Sequence, residues 1–201
     1  MRFLALGDSY TIGESVQPAD RWPVQLAALF RGGGLPVEDP LIIATTGWTT
    51  DELMAGIDRA NPTGPYDLVS LLIGVNNQYR GRDPEEYRQQ FVTLLNRAIA
   101  FADGRLSRVL VLSIPDWSVT PFAAGRDRVA IAADIDRFNI INREETAKLG
   151  AHYVDVTPIS RRASNDPALI ADDGLHPSGK MYTEWAKLAF LAAREALGKN
   201  N

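Results

Sequence analysis

Three residues near the two ends of the chain have types and a spacing that could perform acyl transfer. Ser9 follows an apolar run in MRFLALGDSY, and His176 lies three residues after Asp173 in the turn-rich segment DDGLHPSG. A serine hydroxyl becomes an effective nucleophile when a base, most often histidine, takes its proton. Within one tight turn, a carboxylate at this spacing can reach Nδ1 of the imidazole, fix its tautomer and leave Nε2 for the serine. The pattern indicates a serine nucleophile, with an ordinary turn as the alternative for each segment.

Acyl transfer also needs hydrogen-bond donors for the oxyanion that develops on the carbonyl oxygen. The backbone N–H of Ser9 is one candidate. Gly47 offers a second because glycine lets the backbone approach a ligand closely, and the side-chain amide of Asn76 offers a third. A turn glycine and a capping asparagine are the alternatives for the last two. His152, the other histidine, is interpreted as a structural or surface residue.

Length and composition narrow the class of protein. The 201 residues suit one domain with a sizeable core, and the net charge of −4 gives no electrostatic footprint for nucleic acid. No apolar run of the sequence is long enough to span a bilayer. Cysteine is absent and histidine occurs twice, so neither a thiol nucleophile nor a transition-metal site is predicted, and no cofactor is expected.

The chain starts with a short apolar run that ends at Gly7, which is too short for the apolar region of a signal peptide. Together with the absence of cysteine, this makes a cytoplasmic location the expectation. Removal of a leader segment before residue 1 is the alternative. The sequence leaves the oligomeric state open.

Strand-like and helical segments alternate along the chain. Runs that are apolar at both odd and even positions predict strands buried on both faces at residues 3–6, 41–44, 68–73 and 109–114, with a weaker one at 152–156. Helical patterns occur at residues 22–31, 51–59, 84–102, 126–149 and 178–197. Such alternation predicts βαβ units with right-handed crossovers. We therefore expect one α/β domain over residues 1–201, a three-layer α/β/α sandwich with about five parallel strands.

Polar clusters follow four of the predicted strands. They are Gly7-Asp8-Ser9, Thr45-Thr46-Gly47-Trp48, Gly74-Val75-Asn76-Asn77 and Pro115-Asp116-Trp117. Ligands of open parallel sheets bind beyond the carboxyl ends of the strands. We therefore expect the four clusters to meet at one edge of the domain, which favours Ser9 as a nucleophile over Ser9 as a turn residue.

Four blocks of the sequence, in order, resemble those of the SGNH hydrolases, also called the GDSL esterase and lipase family. The blocks are Gly7-Asp8-Ser9, Gly47, Gly74-Val75-Asn76-Asn77 and Asp173-Gly174-Leu175-His176. The resemblance implies a flavodoxin-like fold, with Ser9 as nucleophile, His176 as base and Asp173 orienting the base. It also implies an oxyanion hole formed by the N–H groups of Ser9 and Gly47 and the side chain of Asn76. One position departs from the family pattern, because Asn77 stands where an aspartate is usual.

These residues predict hydrolysis of a small-molecule carboxylic ester through an acyl-enzyme. Short-chain or acetyl groups are favoured because the sequence has no lid-like apolar insertion. Four aromatic residues beside the blocks are candidates for substrate binding, with loop packing as the alternative: Tyr10, Trp48, Trp117 and Phe122. The alternatives for the whole chain are a non-catalytic binding module on the same fold, or an acyltransferase, thioesterase or lysophospholipase that uses the same triad.

Overall fold

Five parallel strands form one sheet in the computed structural model, which describes residues 1–198. In chain order they are β1 (Phe3–Gly7), β2 (Leu41–Ala44), β3 (Leu68–Leu72), β4 (Val109–Leu112) and β5 (His152–Val154). The order across the sheet is β2-β1-β3-β4-β5, with Leu6 of β1 paired to Ile43 and Leu71 of its two neighbours. Every residue of β1, β3 and β4 is buried, as apolar runs on both parities predict.

Helices cover both faces of the sheet, which confirms the predicted three-layer sandwich. The described α-helices are α1 (Ser9–Ile12), α2 (Trp22–Gly32), α3 (Thr50–Ala60), α4 (Val75–Tyr79), α5 (Pro84–Phe101), α6 (Arg128–Leu149), α7 (Thr157–Arg161) and α8 (Gly179–Gly198). Right-handed crossovers place α2 on one face of the sheet and α3, α5 and α6 on the other. Helix α8 packs against α2. The last three residues of the predicted domain, 199–201, lie outside the described residues.

The aromatic stripes of the long helices lie in the core. Trp22 of α2 and Trp185 of α8 are fully buried, and the rings of Phe30 and Phe190 meet at 4.9 Å between the same two helices. Burial of each large apolar side chain contributes roughly 1.5–3 kcal/mol, so these helices are held by packing more than by intrinsic propensity. None of the helices within residues 1–198 has both the length and the apolar composition needed to cross a bilayer.

The predicted strand 109–114 ends two residues earlier in the structure, because side chains replace the strand ladder there. The hydroxyl of Ser113 accepts from the N–H groups of Val156 and Thr157, at 2.8 and 3.0 Å. The backbone N–H of Ile114 donates to Asn139 at 2.8 Å. The buried backbone N–H groups at the end of β4 and β5 are therefore paired with side chains in place of a neighbouring strand.

Three short helices were not predicted, namely α1, α4 and α7, each of four or five residues. A helix of one turn is too short to show a hydrophobic periodicity, so the sequence pattern does not predict it. The longer helices have recognisable starts. Asp83 caps α5 by accepting from two backbone N–H groups, and Asp127 caps α6, which therefore begins at Arg128 and not at residue 126.

Candidate active site

A cavity of about 170 Å³ opens at the carboxyl edge of the sheet. It brings together residues of the polar clusters that follow β1, β2, β3 and β4, and of the turn before α8. Its wall consists of Ser9, Tyr10, Thr46, Gly47, Val75, Asn76, Tyr79, Trp117, Phe122, Leu175 and His176. His152 begins β5 and so lies at the amino edge of the sheet, opposite the cavity. The cavity thus contains the predicted nucleophile, the predicted base and all three predicted oxyanion donors.

The turn after β1 delivers Ser9 to this cavity. A Cβ atom at Gly7 would lie 2.2 Å from Thr11 Oγ1 and 2.5 Å from the Leu72 carbonyl oxygen, so the close approach requires glycine. Asp8 then caps α1 by accepting from the N–H of Tyr10 at 3.0 Å. Ser9 is the first residue of α1, a position whose own N–H has no acceptor within the helix. Gly-Asp-Ser is therefore a strand-to-helix junction that leaves a donor free beside the hydroxyl.

Asp8 is a fully buried carboxyl group whose Oδ2 has no hydrogen-bond partner. Burial raises its pKa to about 7, although the N–H of Tyr10 opposes this shift. A raised pKa means that the folded chain binds a proton that the unfolded chain releases near pH 4. The contribution of Asp8 to stability is therefore fully present below about pH 4 and is lost as the pH rises through about 7.

The turn before α8 holds Asp173 and His176 in direct contact. Oδ2 of Asp173 lies 2.5 Å from Nδ1 of His176, and Oδ1 accepts from the backbone N–H groups of Leu175 and His176, both at 2.9 Å. Partial burial alone would raise the pKa of Asp173, but these hydrogen bonds outweigh it and lower the pKa to about 2. Asp173 therefore stays ionised at neutral pH, and Nε2 of His176 is left to face the cavity.

A further residue, Ser15, contacts Asp173 and was not predicted from the sequence. Its hydroxyl donates to Oδ2 of Asp173 at 2.7 Å, across 158 residues of chain. Ser15 adopts a φ of 63°, a left-handed conformation that costs a residue other than glycine about 1 kcal/mol. A contact this distant in sequence leaves no local signal, and only the fold brings the loop after α1 to the turn before α8.

Gly47 adopts a φ of 88°, which a residue with a Cβ rarely tolerates. Its carbonyl accepts from Arg80 at 2.6 Å, and Arg80 also pairs with Glu52 at 3.3 Å. Its N–H has no acceptor among the described residues. Arg80 thus fixes the loop after β2 while the N–H of Gly47 remains available to a ligand.

Asn76 and Asn77 lie on α4 and make different contacts. The side-chain amide of Asn76 donates to the carbonyl of Trp48 at 2.9 Å, which uses one of its two N–H groups. Asn77 is buried and pairs with Thr50 twice, since its Oδ1 accepts from the backbone N–H at 3.1 Å and its Nδ2 donates to the hydroxyl at 2.8 Å. That hydroxyl is left to donate to Gln90. Asn77 therefore ties α4 to the start of α3, and its amide sets the direction of this hydrogen-bond chain.

Asn77→Asp should lower the free energy of unfolding by about 1–3 kcal/mol, because the carboxylate loses the donor to Thr50 and places a charge at a site with 1% exposure. Activity should stay within about tenfold of the parent, since no proposed oxyanion donor is removed. Urea unfolding and ester hydrolysis measure the two effects, with Asn96→Asp, on the exposed side of α5, as the matched control. Loss of activity in a folded Asn77→Asp protein would contradict this division of roles.

The four aromatic candidates have different surroundings. Tyr10, Trp117 and Phe122 line the cavity, and the ring of Tyr10 packs against His176 with centroids 5.5 Å apart. The indole of Trp48 does not lie in the wall of the cavity. It packs against Gly56 of α3, where a Cβ atom would come within 2.2 Å of the ring, and Arg59 stacks on it. The structure therefore places the indole of Trp48 outside the cavity wall, in the space left by Gly56, and its role in substrate binding stays a prediction.

The segment between β4 and α6 is joined to the turn that carries the predicted base. The backbone N–H of Phe122 donates to the carbonyl of Gly174 at 3.0 Å. Nε1 of Trp117 donates to the side chain of Gln78 on α4 at 2.9 Å. The aromatic wall of the cavity is thus attached on one side to α4 and on the other to the turn before α8.

Comparison with known proteins gives the family of the chain and structures that share its fold. A sequence model described as the GDSL-like lipase/acylhydrolase family matches residues 5–183. No curated protein sequence matches the chain. Solved structures that share the fold include TesA, at 17% identity and a TM-score of 0.75, with 98% of this chain and 99% of that chain covered. Another is the psychrotrophic esterase EstA from Pseudoalteromonas sp., inhibited by monoethylphosphonate, at 14% identity and a TM-score of 0.75, with 98% of each chain covered. A third is the acetyl xylan esterase AlAXEase, at 14% identity and a TM-score of 0.73, with 96% and 99% covered.

Proposed function

The chain belongs to the GDSL-like lipase/acylhydrolase family, and from that premise we propose that it is a serine-dependent hydrolase of carboxylic esters that works through an acyl-enzyme. The observation that best supports the proposal is the contact of 2.5 Å between Asp173 and His176 at the wall of the cavity that also contains Ser9. A base held in one tautomer by a carboxylate, beside a hydroxyl and free N–H groups, is an arrangement suited to acyl transfer.

In the proposed reaction, Oγ of Ser9 attacks the ester carbonyl carbon while Nε2 of His176 takes the hydroxyl proton. Asp173 stabilises the imidazolium that forms. The carbon–oxygen bond to the alcohol then breaks, and the departing alcohol takes the proton from His176. Water repeats the sequence on the acyl-enzyme and releases the acid. Ser9 and His176 form no hydrogen bond with each other in the described structure, and such contacts often tighten only when substrate binds.

The proposed oxyanion hole consists of the N–H groups of Ser9 and Gly47 and the second N–H of Asn76. These groups belong to three separate elements at the ends of β1, β2 and β3. Arg80 and the contact of Asn76 with Trp48 hold two of them in place. Ser15 is proposed as a positioning residue, because it donates to the same oxygen of Asp173 that contacts His176.

The size of the cavity favours a small acyl group. Its volume of about 170 Å³ is below the roughly 300–1,000 Å³ of sites for drug-sized ligands. One structure with the same fold is named an acetyl xylan esterase, which agrees with an acetyl or other short-chain ester. Acyl transfer to an alcohol in place of water would use the same residues.

A fluorophosphonate probe tests the proposed function, because such reagents react with activated serine hydroxyls. We expect the probe to label the native protein once, with the adduct on the peptide that contains Ser9, and not to label Ser9→Ala. A panel of aryl esters with increasing acyl length should be hydrolysed fastest at the short end. Equal labelling of the Ser9→Ala protein, or no turnover of any ester, would refute the proposal and favour a binding module.

Asn76→Ala should lower kcat by about 10²- to 10³-fold with a smaller change in KM, because the donor acts mainly on charge that develops in the transition state. Steady-state kinetics with one short acyl ester measure the effect. Asn96→Ala is the matched control on the exposed surface of α5, and thermal unfolding checks that the lost contact with Trp48 leaves the fold intact. An unchanged kcat with a raised KM would instead assign Asn76 to ground-state binding.

A further inference from the structure

Three aromatic rings form one wall of the cavity and continue to the protein surface. This aromatic trio consists of Tyr79 at the end of α4, and Trp117 and Phe122 after β4. The ring centroids are 5.6 Å apart for Tyr79 and Trp117, 6.2 Å for Tyr79 and Phe122, and 5.9 Å for Trp117 and Phe122. Trp117 is buried, whereas Tyr79 and Phe122 are 46% and 41% exposed. A substrate bound beside Ser9 and extending outward would therefore pass along this wall.

Arg126 lies against all three rings of the aromatic trio. Its guanidinium carbon is 5.3 Å from the ring centroid of Tyr79, 5.5 Å from that of Trp117 and 5.1 Å from that of Phe122. Nη2 also donates to the hydroxyl of Tyr79 at 3.2 Å. Stacking uses the faces of a guanidinium and leaves its in-plane N–H donors free. The side chain is thus held in place without its charge being neutralised.

No carboxylate within residues 1–198 forms an ion pair with Arg126, whereas other polar side chains around the cavity have partners. Arg80 pairs with Glu52 and with the carbonyl of Gly47. Glu14 accepts from the hydroxyl of Thr46, and Asp173 contacts His176. On the aromatic side of the cavity mouth, Arg126 is therefore a cation without an ion pair within residues 1–198 and with open hydrogen-bond donors, in a chain whose net charge is −4.

We infer that Arg126 and the aromatic trio form a binding site for an anionic group on the ester substrate, at a distance from the bond that is broken. This inference rests on the proposed ester hydrolysis and specifies its substrate class. A planar guanidinium fits a carboxylate or a phosphate, which it can bind through two parallel N–H groups. The uncharged part of the substrate would lie along the rings, and its charged end would meet Arg126 at the surface.

The anionic group could belong to the acyl part or to the alcohol part, so two pairs of esters are needed. For the acyl part, the aryl ester of succinic acid is compared with the aryl ester of methyl succinate. For the alcohol part, 4-acetoxybenzoate is compared with its methyl ester. Each pair differs by one negative charge at nearly constant shape, and the ratio of kcat/KM values within a pair reports the charge preference.

We expect the native protein to prefer the anionic member of at least one pair. Arg126→Gln should lower kcat/KM for that ester by about 10- to 100-fold, mainly through KM, and change the neutral ester by less than about threefold. Arg126→Lys should fall between, because it keeps the charge without the planar donors. Arg137→Gln is the matched control, since it removes one exposed positive charge on α6 away from the trio. Added salt should reduce the preference.

Binding to the Ser9→Ala protein, followed by tryptophan fluorescence, separates this inference from the proposed chemistry. There the anionic ester should bind more tightly than its neutral partner, and Arg126→Gln in the same background should remove the difference. Equal affinities for both members, or equal losses for both in Arg126→Gln, would overturn the inference. Hydrolysis of neutral esters would stand in that case, whereas absence of all turnover with a retained charge preference in binding would refute only the chemistry.

Discussion

Ser9→Ala should lower kcat by at least about 10³-fold, and His176→Ala should do the same. The double variant should be little worse than either single one, because the hydroxyl and the imidazole act on one proton as a unit. The remaining rate over water would come from the oxyanion donors and from substrate binding. Steady-state kinetics on an aryl acetate, with active-site titration of the native protein, measure all three variants.

Two control variants make this result specific to the cavity. His152→Ala removes the other histidine, at the opposite edge of the sheet, and Ser164→Ala removes an exposed hydroxyl that bonds only locally, to the carbonyl of Arg161. Both should retain activity within about threefold, as surface changes usually do. Retained activity in Ser9→Ala would end the proposed mechanism, and strict additivity of the two losses would show that Ser9 and His176 act in separate steps.

Asp173→Asn should lower kcat by about 10²- to 10⁴-fold, the upper end being the loss seen for the equivalent change in a serine protease. The amide cannot stabilise the imidazolium, and it favours the wrong tautomer of His176. Asp172→Asn is the matched control, because the neighbouring carboxylate makes no hydrogen bond or ion pair within residues 1–198. We expect it to cost less than about threefold.

The lowered pKa of Asp173 adds a condition to this experiment. Since the folded-state value is about 2 and the ordinary value 3.8, the carboxylate contributes stability that is fully present above about pH 4 and lost as the pH falls toward 2. The kinetic comparison therefore belongs at neutral pH, where the native residue is ionised. A large loss in Asp172→Asn with a native-like Asp173→Asn would mean that the other carboxylate orients His176.

Much of the site could be predicted because most of its residues directly follow strands that the sequence pattern shows clearly. Buried strands are apolar on both parities, so their carboxyl ends could be located to within two residues. The sheet topology then brings those ends to one edge. The spacing of Asp173 and His176 within a turn is a local feature, and the structure places the two side chains in contact. The resemblance to the family blocks then assigned a role to each of these residues.

The remaining features depend on contacts between distant segments. Ser15 reaches Asp173 only because the loop after α1 passes the turn before α8. The indole of Trp48 follows the space left by Gly56, which sequence spacing cannot indicate. Helices α1 and α4 are single turns started by Asp8 and Gly74, and the sequence alone did not separate them from loops. The sequence placed Arg126 only at the start of a helix. Its stacking depends on one ring from α4 and two from the segment after β4, which only the fold brings together.

The hydrogen bond between the N–H of Phe122 and the carbonyl of Gly174 has a consequence for engineering by loop exchange. Most of the aromatic wall lies between β4 and α6, whereas the proposed nucleophile and donors lie after β1, β2 and β3. A graft that replaces residues 115–125 should change substrate preference without touching the nucleophile. It must nevertheless supply an amide donor at position 122, since proline there would remove the hydrogen bond to Gly174 in the turn that carries His176. Substrate preference in this scaffold can therefore be altered through one loop, provided that the new loop keeps its hydrogen bond to the turn before α8.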